Sequence, residues 1–161
     1  IFYEFGSVFL TIKWHMSSAH IALYIIGLSI CLTIGNAVLP SWLSKKMSNN
    51  RAITYSIALS ALLFFLIPIS SNPWITLIPF SLIGFSIACS CVNLTTELSS
   101  SASEHIQGEV MGTQLGVRML GDAIICLASS ALLIASVNLP LLLCGLISLL
   151  TLVYHMRSKA T

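Results

Sequence analysis

The stretch Trp74-Ile75-Thr76-Leu77-Ile78-Pro79-Phe80-Ser81-Leu82-Ile83-Gly84-Phe85-Ser86-Ile87-Ala88-Cys89-Ser90-Cys91-Val92-Asn93-Leu94-Thr95 carries no charged residue. Crossing a bilayer as a helix takes ~20 mostly apolar residues, and this run reaches that length. Outward from it, similar runs cover roughly 21–43, 52–69, 108–134 and 139–154, with a shorter one at 1–10. The composition agrees, at 57% hydrophobic and 7% charged residues, with a mean hydropathy of +0.97. A soluble domain needs far more charge to cover its surface. The expectation is an all-α, multi-pass integral membrane protein in contact with the lipid bilayer. It has five transmembrane helices plus a partial N-terminal one, and belongs in a plasma or bacterial inner membrane.

At 161 residues, such spans leave almost nothing for a soluble domain, so chemistry has to sit within the bilayer or at helix ends. The net charge of +2 comes with no basic cluster long enough for a nucleic-acid footprint, which argues against nucleic acid as a partner. No nucleophile with a base, metal-ligand cluster or phosphate loop is visible, so neither an enzyme nor a metal or cofactor is expected. Cys31, Cys89, Cys91, Cys126 and Cys144 all fall in apolar runs and read as buried small hydrophobes. The sequon Asn93-Leu94-Thr95 lies inside a span and is discounted. His15, His20, His105 and His155 all lie outside membrane depth, which disfavours a histidine proton relay. The first run lacks a basic n-region, so it is no signal peptide. It reads as the tail of a helix whose beginning is missing.

Lysine and arginine set the expected orientation. The loop 44–51 holds Lys45, Lys46 and Arg51, the C-terminal tail holds Arg157 and Lys159, and the opposite side has only Lys13. That bias places the loop and the C-terminus in the cytoplasm. Between the spans, 11–20 reads as a polar connection and 96–107 as a serine-rich polar loop.

The fourth full span holds a pair of ionisable residues, Arg118 and Asp122, four apart. This spacing stacks them on one helix face within pairing distance. At ~100° per residue, Gln114 and Ser129 share the same stripe, ~80° wide. The two charges are either a self-neutralised packing pair or two side chains lining a cavity, and charges inside spans usually mark pathways. A second face carries Gly108, Gly112 and Gly116, a spacing that lets another helix backbone come close.

At this segment the chain resembles the major facilitator superfamily of transporters. Ala102-Ser103-Glu104-His105-Ile106-Gln107-Gly108-Glu109-Val110-Met111-Gly112, followed by Arg118-Met119-Leu120-Gly121, is similar to that family's loop between helices ten and eleven and the start of helix eleven. Phe2-Tyr3-Glu4-Phe5 with Val8-Phe9-Leu10 resembles the end of helix seven of drug-efflux members. The segment Pro40-Ser41-Trp42-Leu43-Ser44-Lys45-Lys46-Met47 keeps the basic residues of the loop between helices eight and nine but lacks its acid and glycine. The resemblance implies that residues 1–161 are a C-terminal half-domain, helices seven to twelve with the first partial. It also implies a missing N-terminal six-helix half as partner. The implied activity is secondary active transport of a small organic solute, with drug-like efflux among the options and protons as one candidate coupling ion, by alternating access.

On this reading the solute-path candidates are Tyr3, Glu4, Asn36, Asn93, Gln114, Arg118 and Asp122. Glu4 stands among aromatic rings that suit a cationic or planar ligand, although a hydrated position at the helix end serves it equally well. Asn36 and Asn93, single amides in spans, also suit helix-to-helix hydrogen bonds. Pro40, Pro68 and Pro79 can kink or end helices. The last span is nearly all apolar, broken mildly by Cys144, Ser148 and Thr151, and is expected in a lipid-facing support position. Two other readings stay open: a truncated remnant that inserts without transporting, and a polytopic membrane protein of other function.

Overall fold

The computed structural model describes residues 2–37 and 47–158, with side chains from Phe5 onward. Every regular element among them is a helix: α1 Phe2–Trp14, α2 Ser18–Ala37, α3 Asn49–Ile69, α4 Pro73–Ser101, α5 Gln107–Ala135 and α6 Leu139–Arg157. From α2 to α6, each is long and apolar enough to cross a membrane.

Local chemistry explains the helix ends. The Asn72 side chain accepts from the Trp74 amide at 3.0 Å, and Pro73 opens α4 at a position whose N–H has no helical partner. Glu109 sits in the first turn of α5, and His155 and Arg157 sit in the last turn of α6, each of the sign the helix dipole favours there. The short connections 15–17, 70–72 and 136–138 fold α1/α2, α3/α4 and α5/α6 back as antiparallel hairpins.

Several boundaries differ from the sequence expectation. The segment 11–20 is helical up to Trp14 and again from Ser18, so only 15–17 connects. The helix of the first full span runs Ser18–Ala37, and 38–43 lies outside the described residues. The serine-rich stretch is not a loop throughout, because α4 continues to Ser101. Its hydroxyls bond back into the helix: Thr96 to the Val92 carbonyl at 2.9 Å, and Ser101 to the Glu97 carbonyl at 2.8 Å. Serine in this geometry satisfies itself without interrupting the helix. At 1.5 Å per residue, α4 and α5 each extend about 43 Å, longer than a ~30 Å hydrocarbon core.

The centre of the bundle is α4, packed against α2 on one side and α3 on the other, with α6 behind α3. Glycine makes the α2–α4 approach close. A Cβ on Gly84 would lie 2.6 Å from the Leu28 carbonyl oxygen, and one on Gly35 would lie 2.8 Å from the Ala88 Cβ. Small residues at such crossings let backbones meet. Between α3 and α4, the buried Ser86 hydroxyl donates to the Ser56 carbonyl at 2.6 Å. Tyr24 donates its hydroxyl to the Pro73 carbonyl and meets Phe80 edge-on, with ring centroids 5.3 Å apart. These groups bind the bundle around Leu28, Ile67 and Ile83, all fully buried.

Lys13 fastens the first hairpin to the second. Its ammonium donates to the Pro68 carbonyl at 2.7 Å and the Ser70 carbonyl at 3.2 Å, beside the rings of Phe9 and Trp14. A cation there meets carbonyls left without partners at the end of α3 and opposes the negative end of its dipole.

The glycine face of α5 needs correction. A Cβ on Gly108, Gly112 or Gly116 would meet nothing within 4 Å, so among the described residues no helix packs there. The close approaches belong to Gly6, Gly27, Gly35, Gly84 and Gly145 instead. Spacing alone does not distinguish them, because a small residue permits an approach without supplying the neighbour. The cysteines are also less buried than expected. Cys89 is buried, while Cys31, Cys91, Cys126 and Cys144 are half-buried, and all five are free thiols.

Candidate functional site

A cavity of about 280 Å³ lies where α2 to α6 converge. Leu28 and Leu32 of α2, Phe64 of α3, and Gly84 and Ile87 of α4 form its apolar walls. From α5 come Arg118, Asp122 and Ile125, and from α6 come Cys144, Ile147 and Ser148. Every helix long enough to span therefore contributes, and the basic and the acidic side chain both enter from α5. A larger cleft of about 730 Å³ runs between α4 and α5 toward the C-terminal end of α4. Arg118 lines both spaces, so it stands at their junction.

Arg118 and Asp122 share a helix face but do not form the expected pair. Among the described residues neither has an ion-pair or hydrogen-bond partner. The order of the two residues supplies the reason. Helical side chains lean toward the N-terminus, and an acid placed before a base at this spacing pairs better than the reverse. Here the base comes first, the less favourable order, and Arg118 borders the cleft as well as the cavity. Asp122 is half-buried and Arg118 exposed within this chain.

Gln114, one turn earlier, also lines the cleft, and its amide donates to the Thr95 hydroxyl at 3.1 Å, tying α5 to α4. Ser129 continues the stripe but is fully buried, with its hydroxyl oxygen unpartnered. It borders neither space. Asn93 is buried and turned into its own helix, donating to the Cys89 carbonyl at 2.7 Å and approaching the Cys89 sulfur at 3.3 Å. It neither bridges helices nor faces the cavity. Asn36 is exposed near the end of α2, away from both spaces. Tyr3 and Glu4 belong to α1, and their side chains lie outside the described residues. Of the seven candidates, Arg118 thus borders both spaces, Gln114 the cleft and Asp122 the cavity.

The last helix has one inward face beside a broad exposed one, where Leu146, Leu150 and Tyr154 lie. Leu141 and Gly145 are buried, and Cys144, Ile147 and Ser148 border the cavity. A signal for this was present: Cys144, Ser148 and Thr151 fall at helical i, i+4, i+7 spacing, one face of a helix otherwise made of leucine. Thr151 borders a smaller crevice with Ser60 and Ser90. Its hydroxyl bonds back to the Ile147 carbonyl at 2.8 Å, which leaves an apolar surface.

The chain matches no protein-family model, no curated protein and no solved structure.

Proposed function

We propose that the chain is the C-terminal half of a facilitator-type secondary transporter that moves a small organic solute by alternating access against a second six-helix half. One observation carries this reading most. Arg118 and Asp122 stand unpaired at a cavity to which all five long helices contribute. Two bare charges on an apolar helix are costly in lipid and acceptable beside water or a polar ligand. The sparse packing of α5 suits a helix that faces a partner half across the path. In this topology the ends of α2, α4 and α6 and the start of α3 and α5 are cytoplasmic, in line with Arg51 and Arg157 there. Lys45, Lys46 and Lys159, which add to that bias, lie outside the described residues.

The test is water access and transport together. In a background with the native cysteines replaced, Arg118→Cys or Asp122→Cys in intact membranes is expected to react with a membrane-impermeant thiol reagent. Uptake or efflux of a panel of fluorescent organic ions should then fall on Asp122→Asn, at unchanged expression. Inert thiols at both positions would remove the path. Reactive thiols without transport would favour a remnant that inserts and does not transport alone.

A further inference from the structure

We infer that the cleft between α4 and α5 is a binding site for an amphipathic monoanion, whose acidic head meets Arg118 and whose apolar body lies along the cleft. The inference rests on the transporter reading for its biological setting and names the ligand chemistry that reading leaves open.

Three observations combine. The first is size: about 730 Å³ falls within the range of small-molecule sites, ~300–1,000 Å³. The second is lining. Leu94 and Leu98 of α4 face Val110 and Val117 of α5, an apolar trough ended by Arg118. The third is an unmatched charge. Arg118 lies eleven residues after Gln107, the first residue of α5, about 16 Å along the axis, and has no ionic or hydrogen-bonding partner among the described residues. A guanidinium in that position gains most from a carboxylate or phosphate oxygen, which it can hold with two parallel N–H donors.

The other charge on the cleft does not favour a cation. Glu109 is exposed in the first turn of α5, where the helix dipole and surrounding water already stabilise it. It sits nine residues before Arg118, about 13 Å away along the axis, so a ligand held at Arg118 extends its apolar body toward Glu109. Asp122 lines the central cavity and not the cleft. It is an acidic residue one helical turn from Arg118, so its replacement by a neutral residue should strengthen anion binding. A membrane lipid and a soluble organic acid both offer this chemistry.

The experiment is fluorescence titration of the purified chain in detergent with dansyl-labelled undecanoate, alongside the uncharged dansyl amide of the same chain length. The carboxylate should bind better than the amide, by about tenfold or more, the worth of one charge-assisted hydrogen bond. Arg118→Gln should abolish that preference, Arg118→Lys should restore part of it, and Asp122→Asn should tighten carboxylate binding. Val117→Trp, which fills the trough and keeps Arg118, should weaken both probes. Ile134→Ala, at the far end of α5, should change neither, and thermal unfolding of each variant reports folding. Displacement by an anionic phospholipid but not by a soluble arylalkanoate assigns the head to lipid, and the converse assigns it to a solute. Equal binding of carboxylate and amide, or a preference that survives Arg118→Gln, overturns the proposal. Binding without transport would leave the site standing and remove the transporter reading, so the two fail separately.

Discussion

Helices α4 and α5 make a natural pair: each has 29 residues, and each is apolar enough to span a membrane. Their surroundings differ completely. In α4, Thr76, Phe80, Ile83, Ser86 and Asn93 are among the buried residues, whereas in α5 Ser129 alone is buried. On α5, Leu127 and Ile134 are 75% and 91% exposed, and its glycines face open space. Hydropathy separates spans from loops, but it cannot say which span is the hub. The hub is the helix whose small residues oppose backbone and whose hydroxyls reach another helix, as Gly84 and Ser86 do. Lipid or a partner can replace an absent neighbour for α5, but not for α4.

The sharpest way to break this comparison is to place the same substitution on both helices. Gly84→Leu should destabilise the chain by about 3 kcal/mol, because the new side chain meets the Leu28 backbone, which cannot rotate away. Gly112→Leu meets nothing and should be neutral or stabilising by up to about 0.5–1 kcal/mol from helix propensity. Thermal unfolding in detergent reads both. Equal losses would show that the α5 glycines are packed after all.

A smaller effect tests the polar link between α3 and α4. Ser86→Ala removes the bond to Ser56 and should cost about 0.6–1 kcal/mol, the usual worth of such bonds between apolar helices. Ser130→Ala on α5, whose hydroxyl only returns to its own Cys126 carbonyl, should cost less. A similar loss, about 1 kcal/mol, is expected for Lys13→Met, which frees the Pro68 and Ser70 carbonyls. An unchanged unfolding temperature would mean that the α1 hairpin docks through its aromatic residues alone.

The smallest stability effect and the clearest topological one comes from Ser158→Cys, at the exposed end of α6. It should leave unfolding unchanged and react with an impermeant thiol reagent only after the membrane is opened. Rapid labelling from outside intact cells would reverse the orientation.

Much of the candidate site was legible for a simple reason. Arg118 and Asp122 are ionisable residues in an apolar run, and the cost of such groups in lipid singles them out from the sequence alone. Gln114 was legible through the same helical stripe. Asn93 was legible as a polar residue but not in its role, because a span amide can satisfy itself on its own helix as well as on a neighbour. The cavity walls were not legible. Leu28, Phe64 and Ile87 are chemically the same as the leucines and isoleucines that face outward.

What the sequence determined by itself is the helical architecture and its spacing. Long, mostly apolar runs leave the backbone no partner in lipid except itself, so each run becomes a helix, and short turns with Asn72-Pro73 and Asn138 set the hairpins. What only the tertiary structure decided is which faces meet. Gly84 against Leu28, Lys13 on the end of α3, and Cys144 and Ser148 turned to the cavity all depend on helix rotation and approach. Packing between apolar helices sets these through shape. A one-dimensional pattern records that a surface is small or apolar, but not what lies opposite it.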